Sequence, residues 1–491
     1  MFEPSRISRR RMLQMTAAFA ALSVKPFRLA AGADSAVAAA PGTDITAQLA
    51  RYMVAARETA LPETVLVDCK NHILDTFGAM VSGSRMPAGL AALKFVREQG
   101  GPAQASVIAS DFRTTPINAA LANAMCAHAD ETDDFEAVTK AHPGSSVVPA
   151  ALAMAEREGS SGEAFIRAVT LGYDLAGRLL LALGPDLVRG SHRSAEGTAA
   201  TFGALGAAAA LARLDEKNTC FAISYAAQQV SGLWSWVKDK DHVEKAFDFS
   251  GMGARNGVTA VCMVQSGMTG VADVLDGTHN LFIALSSKPR PEAMIEGLGR
   301  HFFVTDTAIK TFSVGYPIQS VLDAFLKLRE QHRLTPDNVA RIEVRLPTDA
   351  VGIVGGSAMP DVSCQHMVAV ALVRGAVSFH DSHDAALPRD PVMRAQGQKV
   401  TVVADAALMD PAAPRGAIVN VTTTDGRKLS HHTKYPPGTK ENPLSVAGVS
   451  AKVRDLMAPV LGGEKTEKLI ASLSRLESID KIDQLRPLFA K

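Results

Sequence analysis

A cluster of ionisable residues follows an almost uncharged, alanine-rich stretch that begins at Pro116. The cluster reads His128-Ala-Asp130-Glu131-Thr-Asp133-Asp134, and a second histidine, His142, comes shortly after it. At the edge of a core, burial and like-charge repulsion shift the pKa values of such groups, and acid–base catalysis depends on shifts of this kind. The pattern favours acid–base chemistry here, although a solvated helix end followed by a loop would have the same composition.

Basic groups elsewhere in the chain could hold an anion against these carboxylates. His142 precedes Pro143-Gly-Ser145-Ser146, which opens a helix whose free backbone N–H groups form a carboxylate site. The other candidates stand in polar or glycine-containing segments: His192 before a glycine- and alanine-rich helix, Lys245 at the end of a charged loop, Arg255 after Gly253, and Lys310 at the expected domain junction. Taken singly, each of them is more typical of a surface charge or of a satisfied core group than of a functional residue.

Two kinds of metal site can be compared with this sequence. Glu131-x-Asp133-Asp134 resembles the acidic magnesium motif of helical prenyl-transferring enzymes, but no second acidic motif accompanies it. His128 with Asp130 could bind a transition metal, although an open site needs about three ligands and a supporting shell. The closest two of the five cysteines, Cys220 and Cys262, are 42 positions apart, which argues against structural zinc and most iron–sulfur sites. We expect no metal. Three further histidines, His242, His431 and His432, have no comparable context.

Residues 1–38 have the pattern of an export signal. Arg9-Arg10-Arg11 precedes a short apolar stretch and an Ala-Val-Ala sequence that ends at Ala38, which is typical of a twin-arginine signal peptide and predicts a periplasmic protein. This segment carries six of the 51 basic and two of the 50 acidic residues, which leaves 45 against 48, a net charge of −3. That balance indicates no nucleic-acid surface. After removal of the signal, the absence of 18 consecutive apolar residues argues against a membrane span.

The hydrophobic periodicity predicts a mainly α protein. Long Ala-, Leu- and Val-rich helices between Gly and Pro residues fill residues 43–300, and their uniform apolarity implies burial on several faces. Alternating strand patterns follow at residues 340–346, 399–403 and 417–423, with a short helix expected from Thr335-Pro336. The chain returns to helix at 445–491. We therefore expect a large all-helical domain, 43–300 with 445–491, into which a smaller α+β lid domain, 301–444, is inserted.

In these residues the chain resembles the MmgE/PrpD family, which includes 2-methylcitrate dehydratase, cis-aconitate decarboxylase and an iminodisuccinate epimerase. Five stretches carry the likeness, in the order of the family: residues 128–134, 142–151, 172–178, His192 with its following helix, and 437–445. The resemblance implies a homodimer, a site in the cleft between the two domains, and no metal or organic cofactor. It also implies a small di- or tricarboxylate substrate that gains or loses a proton, water or CO₂.

The resemblance assigns expected roles to individual residues. Glu131 and Asp133 fall at the acidic site positions, and His142, His192, Lys245 and Lys310 match the histidines and basic residues. We expect His192 to act as the principal base or acid, and His142 with the Ser145 helix start to position the substrate. Lys245 and Lys310 would bind carboxylates and stabilise developing charge, with Arg255 as a further substrate-binding residue, while Glu131 and Asp133 would tune their neighbours.

Three departures from the family pattern leave the substrate open. Phe135 stands where the decarboxylase pattern has a hydroxyl residue, Gly315 stands where many members have a histidine or another polar group, and residues 245–257 carry one extra residue. These differences argue against decarboxylation of cis-aconitate. The expected function is a cofactor-independent lyase of the dehydratase type. The alternatives are an epimerase or isomerase that uses the same proton abstraction, and a non-catalytic carboxylate-binding protein.

Overall fold

The computed structural model describes residues 44–491, and its secondary structure is mainly helical, as predicted. The predicted signal, residues 1–38, lies outside the described residues. The helices of the first part are α1 (Ile45–Ala56), α2 (Glu63–Gly83), α3 (Pro87–Gln99), α4 (Pro116–Ala127), α5 (Pro143–Glu158), α6 (Gly162–Leu183), α7 (Pro185–Gly190), α8 (Ala195–Leu211), α9 (Glu216–Gln228), α10 (Val243–Ala246), α11 (Met252–Gln265) and α12 (Leu281–Leu285). Three short strands accompany them: β1 (Ala105–Ser106), β2 (Arg113–Thr114) and β3 (Phe135–Glu136).

Helix α8 lies at the centre of the helical part, and all of its residues are buried. Its small side chains allow neighbouring helices to approach closely. A Cβ atom on Gly253 of α11 would lie 2.3 Å from the Cβ of Ala200, and one on Gly257 would lie 2.5 Å from the backbone nitrogen of Leu205. Burial on every face therefore explains the lack of an amphipathic pattern in this stretch.

The second part contains the predicted α+β elements. Its four-stranded sheet has the order β6 (Val400–Ala404), β5 (Val339–Leu346), β7 (Ala417–Thr423) and β8 (Lys428–Thr433). Strands β5 and β6 are parallel, and the other neighbours are antiparallel. The elements are β4 (Thr307–Ala308), α13 (Gln319–His332), β5 (Val339–Leu346), α14 (Thr348–Val354), α15 (Cys364–Arg374), α16 (Phe379–His383), α17 (Pro391–Gly397), β6 (Val400–Ala404), β7 (Ala417–Thr423) and β8 (Lys428–Thr433). The three predicted strands are confirmed, and β8 adds a fourth.

The helix expected from Thr335-Pro336 is wrong. Those residues form a turn, in which the side chain of Asn338 accepts a hydrogen bond from the Thr335 N–H at 2.8 Å and donates one to the Arg333 carbonyl at 3.1 Å. Strand β5 begins at Val339, so too few residues remain for a helix. The proline at the second position is equally suited to a turn.

The last helices pack against helices of the first part. They are α18 (Val446–Leu461), α19 (Gly463–Ser474) and α20 (Arg486–Phe489). Leu456 of α18 reaches Gly78 of α2, and the rings of Phe77 and Phe489 lie 6.0 Å apart. The Lys452 ammonium of α18 binds the Asp75 carboxylate at 2.6 Å and the Thr132 carbonyl at 3.0 Å. Through Lys452, helix α18 therefore contacts the backbone of the acidic segment, residues 128–134.

Two further findings concern the described residues as a whole. Within residues 44–491, no helix has the length and apolarity that crossing a membrane requires. The five cysteines are all free thiols, and all except the half-buried Cys262 are buried. This agrees with their interpretation as small hydrophobic side chains.

Candidate active site

The acidic segment is folded into the protein. No residue from His128 to Asp134 is more than 2% exposed, so the alternative of a solvated helix end does not apply. Helix α4 ends at Ala127, and Glu131 turns the chain in the left-handed region at φ 55°. Strand β3 then pairs antiparallel with β4, with Phe135 opposite Ala308. This pairing brings Lys310, two residues beyond β4, to the acidic segment.

Asp133 lies at the centre of a hydrogen-bonded group of histidines. Its Oδ2 atom is 2.8 Å from Nδ1 of His128 and 3.1 Å from Nδ1 of His142, and its Oδ1 atom is 3.5 Å from the Lys310 ammonium. Burial alone would raise the pKa of Asp133, but His128, His142 and Lys310 hold it well below its usual value. Burial lowers the pKa of His128, which favours the neutral ring. Asp133 is therefore an ionised acceptor that orients His142.

Glu131 receives the cationic groups of the site. Its Oε1 atom contacts the Lys245 ammonium and lies 3.3 Å from Nε2 of His242, and its Oε2 atom lies 3.1 Å from the Lys310 ammonium. Lys310 also donates to the Glu131 carbonyl at 2.8 Å. Burial, reinforced by the charge of Lys310, lowers the pKa of Lys245 to about 7. Lys245 is therefore poised to exchange a proton near neutral pH.

The remaining two carboxylates support the segment rather than face a cavity. Asp130 accepts a hydrogen bond from the Ser82 hydroxyl at 2.5 Å, and burial raises its pKa to about 6. Asp134 accepts from Tyr173 at 2.5 Å and from the Gly144 N–H at 2.9 Å. At the start of α5 the Gly144 N–H group therefore binds the carboxylate of Asp134. The sequence analysis expected a carboxylate of the substrate there.

His242 is a site residue that the sequence analysis missed. Besides contacting Glu131, its ring lies 3.5 Å from Asp361, and His383 approaches the same carboxylate at 3.7 Å. Asp361 and His383 belong to the lid, so this chain of side chains joins the two parts of the molecule. The one signal in the sequence was spacing, because His242 stands three residues before Lys245, and both lie at the start of one short helical segment.

Helix α10 continues into a π-helical turn, Phe247–Gly251, before α11. Because its hydrogen bonds join residues five apart rather than four, a π-turn accommodates one additional residue, and such turns are frequent at functional sites. The turn places the ring of Phe249 against His128, with 4.5 Å between centroids, and 5.1 Å from the Lys245 ammonium. The extra residue noted in the sequence therefore has a structural counterpart beside the site.

A narrow cavity of about 40 Å³ lies between the helical part and the lid. It has room for no more than a few water molecules. The residues that line it are Glu131, Phe135, His142, Arg189, Glu196, Trp236, Lys245, Phe249, Gly315, Tyr316, Pro317, Ile353, Val362 and Arg415. A wider outer cleft of about 350 Å³ shares Tyr316 and Arg415 with it. Two of the three departures from the family pattern, Phe135 and Gly315, therefore lie in the wall of the inner cavity.

The structure sorts the predicted site residues into three groups. Glu131, His142 and Lys245 line the inner cavity. Asp133, Lys310 and Ser145 are buried behind it, where the Ser145 hydroxyl is 2.6 Å from that of Ser250. His192 and Arg255 form the third group, which the structure does not bring into the cluster.

The placement of His192 differs from the expectation most strongly. It lies in an exposed turn at φ 62°, and its carbonyl accepts a hydrogen bond from the Trp234 N–H at 3.0 Å. Its ring has no hydrogen bond or ion pair with another residue in the range 44–491. The half-buried Arg255 side chain is 3.1 Å from Asn256 Oδ1 and lies over the ring of Phe247, outside the cavity.

Two overlapping groups of buried side chains could offer ligands to a metal ion. One comprises His128, Asp133 and His142, and the other His128, Glu131 and His242. Asp130 belongs to neither group, so the pair of His128 and Asp130 that was compared with a transition-metal site is not among them. An ion in either group would share its carboxylate with an ammonium group, since Lys310 contacts both Asp133 and Glu131, and Lys245 contacts Glu131. This arrangement favours a lysine as the resident cation.

Comparisons with known proteins agree with this architecture. The model of the MmgE/PrpD N-terminal domain matches residues 47–294, and that of the MmgE/PrpD C-terminal domain matches residues 312–477. A cis-aconitate decarboxylase-like protein of Aspergillus oryzae, oryM, is 25% identical over 485 residues, which cover 92% of this chain and 98% of the relative. Together the two domain models span most of the described residues, and the chain therefore belongs to the MmgE/PrpD family.

Proposed function

We propose that the protein is a lyase of the dehydratase type that removes a proton α to a carboxylate of a small di- or tricarboxylate. The observation that carries the proposal is the pairing of His142 with the ionised Asp133 at a cavity that Lys245 also lines. Family membership supports a dehydratase- or decarboxylase-type enzyme. The choice of substrate and of reaction is our proposal.

His142 is the proposed base. Its Nδ1 atom is hydrogen-bonded to Asp133, which leaves Nε2 to take the proton from the substrate carbon. The electron pair of the broken C–H bond forms the new double bond, and the C–O bond on the neighbouring carbon breaks. The hydroxyl group leaves as water with the proton that His142 has taken up, which returns the imidazole to its neutral form. The negative charge of Asp133 stabilises the imidazolium that forms, as the acidic partner does in other His–Asp pairs.

Lys245 is the proposed partner for the charge that develops on the substrate carboxylate. Its ammonium lies at the cavity wall in a site from which most water is excluded, where such an interaction is stronger than in bulk water. Lys310 is fully buried and does not line the cavity, so we assign it to the neutralisation of Glu131 and Asp133. Because these side chains supply both the basic and the cationic functions, the proposed reaction requires no metal or organic cofactor.

The base assignment is tested by comparing two histidine variants. His142→Asn should lower kcat by about 10²–10⁴-fold, the usual contribution of a positioned general base, because the amide cannot accept the proton. His192→Ala should have a much smaller effect, since this side chain is exposed and outside the cavity. The measurement is product formation, by mass spectrometry, from a panel of hydroxy- and aminopolycarboxylates. A larger decrease in kcat for His192→Ala than for His142→Asn would contradict this assignment and identify His192 as the base.

A second reaction, epimerisation, is favoured by one observation. His142 and Lys245 both line the cavity, and an epimerase needs two acid–base groups around one carbon. Turnover in D₂O separates the alternatives: deuterium in an unchanged carbon skeleton indicates epimerisation, an unsaturated product indicates loss of water, and release of CO₂ indicates decarboxylation. Saturable binding of carboxylates without any product would instead support the non-catalytic alternative.

A further inference from the structure

The inner cavity has two arginines in its wall that the sequence analysis did not select. Arg189 belongs to α7, and Arg415 lies in the lid, two residues before β7. The charge of Arg189 is neutralised within the cavity, because its guanidinium is bound to Glu196, which lines the same cavity. The partner of Arg415 is Asp349, which does not line this cavity. Arg415 is therefore the arginine whose counter-ion lies outside the inner cavity.

Contacts on one side hold the Arg415 guanidinium in place. Its two terminal nitrogens bind the two oxygens of Asp349 at 3.1 and 2.9 Å, and one of them also donates to the Pro414 carbonyl at 2.8 Å. The Nε–H group is buried and has no acceptor among residues 44–491. A buried donor without an acceptor is costly, so this side chain retains donor capacity that the protein itself does not use.

Arg415 also stands at the boundary between two spaces. It lines the inner cavity and the outer cleft, and Tyr316 is the residue beside it that does the same. Burial raises the pKa of Tyr316, which keeps its hydroxyl protonated and able to donate. No acceptor for this hydroxyl is found in the described part of the chain. An anion that moves inward from the cleft therefore meets a fixed cation and a free hydroxyl donor.

We propose that Arg415, assisted by Tyr316, binds a second carboxylate of the substrate, remote from the carbon that loses its proton. This proposal rests on the proposed function and deepens it, because it makes a second carboxylate the feature that the site selects. A guanidinium matches a carboxylate in geometry as well as in charge. Asp349 is the positioning residue, since it fixes the guanidinium without entering the cavity.

The test uses a pair of probes that have the same shape and differ in one charge: glutarate and its monoamide, glutaramate. Titration calorimetry on the full chain should show that glutarate binds about 10- to 100-fold more tightly, the usual range for hydrogen bonds to a charged group. Arg415→Gln should remove this preference and leave the affinity for glutaramate nearly unchanged. Arg345→Gln is the matched control, because Arg345 lies on β5 of the same domain and pairs with Asp405 outside the cavity.

Asp349→Asn provides a second variant in case Arg415→Gln does not fold. It keeps the arginine but removes its anchor, so the preference for glutarate should fall partly. An unchanged preference in a folded Arg415→Gln protein, or in Asp349→Asn if that is the variant that folds, would overturn the assignment while the proposed function stands. If neither glutarate nor propane-1,2,3-tricarboxylate binds the wild-type protein, the proposed function and this assignment both fail.

Discussion

Two acidic residues that lie two positions apart in the sequence, Glu131 and Asp133, have different surroundings in the folded protein. Asp133 faces two imidazole rings and is held ionised, whereas Glu131 faces two ammonium groups and a third imidazole. One carboxylate therefore orients a base, and the other keeps two lysines close together in a buried place. Such a difference is set by the partners of each group and not by the residue type.

The lysine at the cavity gives a testable dependence on pH. Burial lowers the pKa of Lys245 to about 7, so the side chain is fully protonated only below that pH. The ammonium group loses its proton as the pH rises through this value. We expect kcat/KM, which reports the free enzyme, to fall above about pH 7. Lys245→Arg should move this decline to higher pH, because a guanidinium stays protonated.

The comparison of pH profiles also has a clear negative outcome. If the decline lies at the same pH in the wild-type protein and in Lys245→Arg, another group controls it. The Lys238→Arg protein is a suitable control, since Lys238 lies in the preceding charged loop and does not line the cavity.

At the level of elements, the start of helix α5 shows how tightly the site is supported. Gly144 has no room for a side chain: a Cβ atom there would lie 2.6 Å from the Tyr173 hydroxyl and 2.8 Å from the Asp134 carboxylate. Gly144→Ala should therefore lower the free energy of unfolding by about 1–3 kcal/mol, the usual cost of overpacking a core. Chemical denaturation monitored by circular dichroism measures this change.

A second glycine provides the control for Gly144. Gly352 lies in α14 at an exposed position with no atom near its would-be Cβ. Gly352→Ala should be neutral or stabilise the protein by up to about 1 kcal/mol, because alanine is the better helix former. An equal loss of stability in both variants would mean that packing around Gly144 is not the cause.

The elements also show which features a sequence can reveal. Long apolar stretches predicted the helices well, because burial on several faces leaves a continuous signal. The start of α4 follows a local pattern, since the Thr115 side chain accepts a hydrogen bond from the Asn118 N–H and Pro116 is the first helical residue. The short strands β3 and β4 had no such signal, since each contributes two residues to a ladder. Yet their pairing places Lys310 beside Glu131. The partners of His242 were equally hidden, because Asp361 and His383 are more than a hundred residues away.

At the scale of the whole molecule, the lid and the helical part each have a hydrophobic core, and Asp361 forms a polar link between the two. Burial alone would raise its pKa, but His242 and His383 hold it well below the usual value. Burial alone would lower the pKa of His383, but the negative charges of Asp361 and Asp130 raise it above its usual value. The pair of Asp361 and His383 therefore stabilises the fold most between about pH 4 and 6.5. In this range the aspartate and the histidine are both charged even in the unfolded chain, so folding needs no change in their protonation.

This link predicts a pH-dependent effect on stability. Asp361→Asn should lower the free energy of unfolding by about 1–3 kcal/mol at pH 6, the usual cost of leaving a buried polar group without its partner. The difference should shrink toward pH 9, because the contribution of the His383 cation is lost as the pH rises through its raised pKa. It should also shrink below pH 4, because the unfolded chain then binds a proton at Asp361 that the folded protein does not. Denaturant titrations at the three pH values measure it.

The control for this prediction is a carboxylate of the lid that pairs away from the interface. Asp405→Asn breaks the pair with Arg345, which lies near the surface, and should cost at most about 1 kcal/mol. A pH-independent loss in Asp361→Asn, equal to that in Asp405→Asn, would show that the contact between the two parts does not depend on this charge.

The small volume of the inner cavity has a kinetic consequence. A space of about 40 Å³ cannot admit a molecule with several carboxylates until the walls separate, so capture must wait for a spontaneous widening. The observed association rate should then stop rising at high ligand concentration and level off at the frequency of that widening. Stopped-flow mixing would read this frequency directly, and it would set an upper limit on turnover that no improvement of the acid–base groups could exceed.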